Sequence, residues 1–393
     1  MKCVRFAYTA GTVGLLLACS GKYNVGQEPD SGGSSSNSTA GASAAGAPVV
    51  SGGGDDSAVG ASTSAGGGDP TSAAGAPASA GAPTSGGAAG AAAVVYCGQT
   101  LPTSSPALAF ASTTVLWSRI QLFLMGDAKA APIPVGLPVT PTRGLAASLA
   151  DRTLDSLKGA PAPGLARFVA AWWPGTPNAD AWATLFGDST ATLTDLLTTN
   201  SVMNPGSGVL TDPAVLTRAG IPARGVFVDE HLRCLQVPAP PPNVPPLPPA
   251  QPGQTRRELL EQAQASPTCA ACHSLINPIG FSLDNYDTVG MFNKLDNGSP
   301  IDSSGTLQAT NGNDNNITFS DVNDLGAQLA GQCGVSACVT QQLLADAETS
   351  ANLPESGSAD PVAVEQIAFA ATSGRLRDLI HAIVESDTFM RAK

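Results

Sequence analysis

The chain has 393 residues and a formal net charge of −12 at pH 7, because 31 Asp and Glu stand against only 19 Lys and Arg. Such an acidic balance offers no basic surface, which excludes nucleic acid and anionic lipid headgroups as partners. Outside a low-complexity N-terminal part, roughly 300 residues remain, enough for two or three small units or one elongated domain.

The first 19 residues have the pattern of a lipoprotein signal peptide. Lys2 and Arg5 form a basic start, and the apolar run after them is too short to span a bilayer as a mature helix. The run Leu16–Cys19 resembles the lipobox of bacterial lipoproteins, in which the Cys19 thiol would carry a diacylglyceryl anchor. Ser20 follows, and by resemblance to lipoprotein sorting in Gram-negative bacteria it favours the outer membrane. The alternative is an ordinary signal peptide with an incidental cysteine.

Residues 20–95 consist mainly of Gly, Ser, Ala, Thr and Pro. This composition cannot bury enough apolar surface to offset the entropy of ordering, so we predict a disordered linker that holds the folded part away from the membrane. No later apolar stretch is long enough for a transmembrane helix, and the lipid is therefore the only membrane contact expected.

Helical signals dominate the rest of the chain. Asp212-Pro213 and Asp360-Pro361 each predict an N-cap followed by a first-turn proline, and Thr255 with Glu258 predicts a capping box. Apolar residues recur at helical spacing in the stretches 115–123, 165–172, 364–371 and 376–384. Since no convincing run alternates like a strand, the predicted fold is mainly α.

Between Pro238 and Pro252 the chain is dense in proline and must be largely polyproline II. We interpret 237–252 as a semi-rigid spacer between helical units, in preference to a docking motif for a proline-binding domain.

The sharpest motif is Cys269-Ala-Ala-Cys272-His273. This C-x-x-C-H spacing is typical of c-type haem attachment: each thiol adds to a haem vinyl group, and the next imidazole binds the iron. A thioredoxin-like dithiol would need a strand–turn–helix context. A structural zinc site would need a fourth ligand or a second pair such as Cys333 and Cys338. A simple disulfide is the remaining alternative.

The stretch from Cys269 to Asn293 closely resembles the cytochrome-like domain of large secreted proteins of planctomycetes and myxobacteria. The resemblance extends over roughly residues 113 to 393 and implies helical flanking domains of unknown function. Its flanking motifs are Ser118-Arg119, Phe123-Leu124, Gly208–Thr211, Arg224-Gly225, Cys234, Thr255–Glu258, Pro300–Asp302, Gly305, Cys338, Leu376–Leu379 and Ser386–Phe389.

This sequence departs from the family pattern at several positions. Asn277-Pro278 stands where Asp-Pro is usual, Ala263 where a histidine is common, and Met291 where a basic residue is usual. The linker replaces an N-terminal domain. The resemblance therefore supports the cofactor far more than a reaction.

We divide the chain into segments. They are a lipoprotein signal peptide (1–19), a disordered linker (20–95), a helical domain of unknown function (96–236), the polyproline spacer (237–252), a c-type haem domain (253–300) and a C-terminal helical domain (301–393).

His273 is the expected ligand on one face of the iron, and the opposite face is open to several predictions. Met291 is the nearest downstream methionine, and a weakly ligated or vacant position is the main alternative. Other candidates are Met203, Met390, His231 and His381.

Four further cysteines are disulfide candidates, because an exported protein keeps few free thiols. Cys333 and Cys338 are near enough in sequence to pair locally, which would leave Cys97 with Cys234. Four cysteines allow three pairings, and side-chain directions decide among them.

The function expected from these features is one-electron transfer at the cell envelope, with a redox partner that the sequence does not identify. The alternatives are a haem-dependent enzyme of peroxidase or oxygenase type, and a surface binding lipoprotein with a structural metal. No catalytic triad or paired-carboxylate pattern stands out, and the chain has only 3 histidines.

Overall fold

The computed structural model describes residues 94–97, 99–101, 109–198, 208–241, 244, 246–310, 314–354, 357–371 and 373–392. The signal peptide, Cys19, nearly all of the linker and Met203 lie outside these described residues.

The described chain is mainly helical, as predicted. Its helices are α1 (Thr113–Met125), α2 (Arg143–Ser156), α3 (Pro163–Trp172), α4 (Ala179–Gly187), α5 (Leu193–Thr198), α6 (Pro213–Leu216), α7 (Gly220–Leu232), α8 (Arg256–Ala263), α9 (Pro267–Ser282), α10 (Val322–Ala330), α11 (Cys333–Ser350), α12 (Pro361–Ala370), α13 (Leu376–Val384) and α14 (Asp387–Met390), with a 3₁₀ turn at Gly208–Thr211. The strands pair as antiparallel hairpins: β1 (Val94–Tyr96) with β2 (Gln99–Leu101), β3 (Leu295–Asp296) with β4 (Ser299–Pro300), and β5 (Gly305–Leu307) with β6 (Ile317–Phe319).

The predicted helix starts are confirmed by their hydrogen bonds. Asp212 accepts from the Ala214 amide at 2.8 Å, and Asp360 accepts from Val362 at 3.0 Å. Thr255 and Glu258 bond reciprocally, at 2.9 and 3.2 Å, as a capping box does. These caps satisfy amides that a helix leaves unpaired at its start.

The main hydrophobic core draws side chains from every helix except α8, whose Leu260 packs in a smaller cluster with Ile221 and Phe281. Buried Arg119 on α1 donates to the carbonyls of Phe389 at 2.6 Å and Arg391 at 2.9 Å, and the rings of Phe123 and Phe389 lie 6.1 Å apart. Segments 96–236, 253–300 and 301–393 all contribute to this core. Their boundaries as domains stay a prediction.

Helices α7 and α9 approach through two glycines. A Cβ on Gly225 would collide with the backbone of Ile276, and a Cβ on Gly280 would collide with the backbone of Ile221. On α7 Ile221 comes before Gly225, whereas on α9 its contact Gly280 comes after Ile276, the contact of Gly225. The order of the contacts is reversed, so the two helices run antiparallel. Only glycine allows backbones this close.

Arg224 fixes the end of α9 against α7. Its Nη1 donates to the carbonyls of Leu283 at 2.8 Å and Tyr286 at 2.7 Å, and its Nη2 donates to Leu216 at 2.9 Å. Burial lowers the pKa of this guanidinium. The carbonyls that follow α9 are thereby satisfied by a side chain of its partner helix.

The disulfides join Cys97 to Cys333 and Cys234 to Cys338, so the predicted pairing of Cys333 with Cys338 is wrong. Both cysteines lie on α11, five positions apart. In an α-helix that spacing separates the Cα atoms by about 8.7 Å and turns the side chains about 140° apart, which a disulfide cannot bridge. Because each of these thiols is engaged in a disulfide, Cys333 and Cys338 are not available as the second pair of a structural zinc site.

Substituting Gly225 by Ala should destabilise the protein by about 2 kcal/mol or more, because α7 and α9 must move apart to admit the methyl group. Gly144→Ala on α2 is the matched control, since open space surrounds that glycine. It should change the free energy of unfolding by less than about 1 kcal/mol. Chemical denaturation of both variants measures the difference, and equal stabilities would contradict the close contact.

Candidate functional site

The C-x-x-C-H motif lies on the first turns of α9. Ser266 caps the helix by accepting from the Cys269 amide at 3.4 Å, and Pro267 occupies the first turn. Cys269, Cys272 and His273 stand at positions i, i+3 and i+4, which share one helix face. The helix thus presents both thiols and the imidazole together.

That face borders a cavity of ≈ 620 Å³, within the usual range of about 300–1,000 Å³ for ligand pockets. Its walls are formed by α9, by one face of α7 (the cavity face) and by the polyproline segment. The residues are Arg218 before α7; Pro222, Ala223, Val226, Phe227 and Glu230 on α7; Val237–Pro241 and Val244; and Thr268, Cys269, Cys272, His273 and Ile276 on α9. Most of these side chains are apolar.

The polyproline segment is therefore a wall of the cavity as well as a connection between helices. Sequence reasoning missed this role, and it also missed Arg218, Phe227 and Glu230. The sequence of α7 did contain a signal for this wall. Pro222, Val226 and Glu230 are spaced four residues apart and therefore share one helix face, next to the face that buries Gly225.

A hydrogen-bond chain orients His273. Its Nδ1 lies 3.0 Å from Oδ1 of Asn277, whose Nδ2 donates to Oε1 of Gln264 at 2.6 Å. Because the amide nitrogen of Asn277 is engaged by Gln264, its Oδ1 is placed to accept from Nδ1 in the tautomer that carries its proton there, and in that tautomer Nε2 keeps its lone pair. An imidazole held in this way is suited to bind a metal through Nε2. The Oδ1 atom of Asn277 is the accepting oxygen in this contact.

The four other predicted iron ligands that the structure describes do not join this site. Met291 lies beyond the end of α9 and is 60% exposed, while Met390 is buried on α14. His231 on α7 bonds the Phe227 carbonyl through Nδ1 at 2.8 Å, and Nε2 of His381 lies 2.8 Å from Oδ1 of Asp151. Among the described residues, His273 is the one histidine or methionine that lines the cavity.

Burial dominates the electrostatics behind the cavity wall. It raises the pKa of Asp229 from 3.8 to about 6, although Arg233 opposes the shift from 2.6 Å away. It lowers the pKa of His231, whose ring stacks on Phe227 with centres 4.2 Å apart. The surroundings of α7 behind the cavity therefore favour the neutral forms of these two side chains.

Two absences hold for the part of the chain that the structure describes. It contains no group of three or more His, Cys, Asp and Glu placed to hold a metal ion. Its helices include none that is long and apolar enough to cross a membrane.

Residues 206–296 match a family model described as PSCyt3, a protein of unknown function (DUF1588). This is a cytochrome-like domain family of planctomycetes, and the matched stretch contains α7, the polyproline segment and α9. The resemblance seen in the sequence is confirmed to this extent. No curated protein and no solved structure matches the chain.

Asp229 should make stability depend on pH. Because its pKa is about 6 in the folded protein and 3.8 when exposed, the folded state binds the extra proton between these values. Its contribution is thus fully present below pH 4 and is lost as pH rises to about 6, by about 2–3 kcal/mol at most. Unfolding midpoints of wild type and Asp229→Asn from pH 4 to 7 measure it.

The Asn variant should lose this downward slope, whatever its absolute stability after losing the ion pair with Arg233. Exposed Asp180→Asn is the control and should keep the wild-type slope. Parallel pH profiles for wild type and Asp229→Asn would contradict the raised pKa.

Proposed function

We propose that this protein carries one covalent haem c, bound by Cys269 and Cys272 and ligated at iron by His273, and that it transfers single electrons at the cell envelope. The observation that carries the proposal is the placement of both thiols and the imidazole on one face of α9 against an apolar cavity of ≈ 620 Å³.

The chemistry of the site fits this group. Each thiol adds across a vinyl double bond: a carbon–sulfur bond forms, and the thiol hydrogen passes to the other vinyl carbon, so no external oxidant is consumed. The structure has Cys269 and Cys272 as free thiols, whereas the other described cysteines are paired. The apolar walls on α7 and the polyproline segment exclude water from a flat, largely apolar ring.

When bound, the haem supplies a one-electron couple at its iron. His273 would provide the ligand through Nε2, and Asn277 would hold its ring in the orientation that this requires. Since the Asn277 oxygen is neutral, it makes the imidazole a weaker donor than a carboxylate partner would.

A haem-dependent enzyme is the second candidate. It is favoured by the placement of Met291, Met390, His231 and His381 away from the cavity walls, which leaves room for a peroxide or oxygen molecule opposite His273.

Haem attachment should be visible on a denaturing gel. The full chain, expressed with a cytochrome c maturation system, should stain for haem and gain the mass of one haem. The double variant Cys269→Ala, Cys272→Ala should lose both signals, and Ser274→Ala, on the exposed side of the same helix, should keep them.

A folded wild type without haem would contradict the proposal. If haem is attached, the visible spectrum of the ferric protein separates the two candidates. A six-coordinate low-spin spectrum supports electron transfer, and a high-spin spectrum with immediate cyanide binding supports the enzyme.

We further propose that the protein is an outer-membrane lipoprotein anchored at Cys19, which lies outside the described residues. The run Leu16–Cys19 supports this proposal, with residues 20–95 as the tether. Its redox partner would then be another envelope protein or a small electron donor.

Cys19→Ala should move the protein from the membrane fraction to the soluble fraction, because one acylated residue is the proposed attachment. Fractionation and metabolic labelling with a fatty acid measure this, with Cys3→Ala as the control that should stay membrane-bound and labelled. Membrane retention of Cys19→Ala would refute the anchor.

A further inference from the structure

We propose that Arg218 binds the propionate carboxylates of the haem, so that the cofactor is held at one edge by Cys269 and Cys272 and at the other by a guanidinium. This inference rests on the proposed function. It gives a role to a charged residue of the cavity wall that lies outside the C-x-x-C-H motif.

Arg218 is held in place before any ligand binds. Its Nε donates to the Ala214 carbonyl at 3.0 Å, and its Nη2 donates to the Pro174 carbonyl at 3.1 Å. Its guanidinium carbon lies 4.3 Å from the centre of the Phe227 ring. These contacts fix a side chain that would otherwise lose much rotamer entropy on binding.

The anchored guanidinium retains donors for a ligand. Two of its five N–H groups are engaged by carbonyls within the described chain, which leaves both hydrogens of Nη1 and one of Nη2. Arg218 and Phe227 both line the cavity that Cys269 borders. A planar fork of N–H donors in this position matches a carboxylate.

The charges around the cavity make this assignment specific. A c-type haem brings two propionates, and a carboxylate in an apolar cavity needs a cation or several hydrogen bonds. Of the described residues on the walls, Arg218 is the one with a permanent positive charge.

Glu230 on α7 is the acidic residue of these walls. Since α7 and α9 are antiparallel, the backbone of Glu230 lies toward the end of α9 that carries Cys269, whereas Arg218 precedes α7 and its side chain reaches to the ring of Phe227. A propionate beside Glu230 would meet a like charge, so the propionates are expected at the guanidinium of Arg218.

A cation beside the propionates also favours the reduced iron, because reduction removes one positive charge from the centre. Arg218→Gln should therefore lower the midpoint potential. The expected change is at least tenfold in the ratio of oxidised to reduced protein at a fixed potential, which corresponds to 59 mV for one electron.

The test is a spectroelectrochemical titration of the full-length holoprotein from pH 5 to 8. In wild type the paired propionates should stay ionised, and the potential should vary little. In Arg218→Gln their pKa should rise, so the potential should fall as pH rises through it. Arg218→Lys should recover most of the wild-type potential, and Glu230→Gln should raise the potential.

Arg167→Gln is the matched control. Arg167 lies on α3, pairs with Asp346 at 3.1 Å and does not line the cavity, so its variant should keep the wild-type potential and pH profile. Loss of packing alone would not produce opposite shifts for Arg218→Gln and Glu230→Gln.

An Arg218→Gln protein that stains for haem and titrates like Arg167→Gln would overturn the assignment. If Arg218→Gln does not fold, Arg218→Lys and the wild-type pH profile decide. A steep pH dependence of the wild-type potential across this range would refute a propionate–guanidinium pair. A wild type that binds no haem would instead refute the proposed function.

Discussion

The contact between α7 and α9 at Gly225 and Gly280 determines how the walls of the cavity and the C-x-x-C-H motif are placed. Because these backbones touch, the faces of α7 and α9 that flank the contact lie side by side and form two adjoining walls of the cavity. Arg224, the neighbour of Gly225, holds the carbonyls that follow α9 and so fixes its position along α7. Gly225 thus sets the distance between α7 and α9, and its neighbour Arg224 sets the position of α9 along α7.

Buried or partly buried arginines link segments that are distant in sequence. Arg119 joins α1 to the carbonyls around α14, and Arg257 on α8 donates to the carbonyls of Asp302 and Ser304 at 3.0 and 2.7 Å. Because every residue has a backbone carbonyl, the accepting residue can be substituted without loss of the hydrogen bond. It also explains why these arginines stand out in the sequence while their acceptors do not.

Local signals predicted the helix starts and the motif, because capping and C-x-x-C-H spacing depend on residues within one or two turns. The long-range features were not predictable in this way. The partners of Cys333 and Cys338 depend on the direction each side chain takes from α11. The cavity depends on which face of α7 the glycines leave free. Arg224-Gly225 was visible only as part of a family resemblance, and its physical role required the packed helices.

The disulfides place a constraint on biogenesis. The cysteines that pair natively are 236 and 104 residues apart, and Cys333 and Cys338 both follow the motif in sequence. In a chain that emerges from its N-terminus, Cys97 and Cys234 meet Cys269 and Cys272 before their own partners exist. Every early oxidation therefore yields a wrong pair, and any that includes Cys269 or Cys272 consumes a thiol of the C-x-x-C-H motif. Correct pairing therefore requires reduction or exchange of such pairs until the last third of the chain is available.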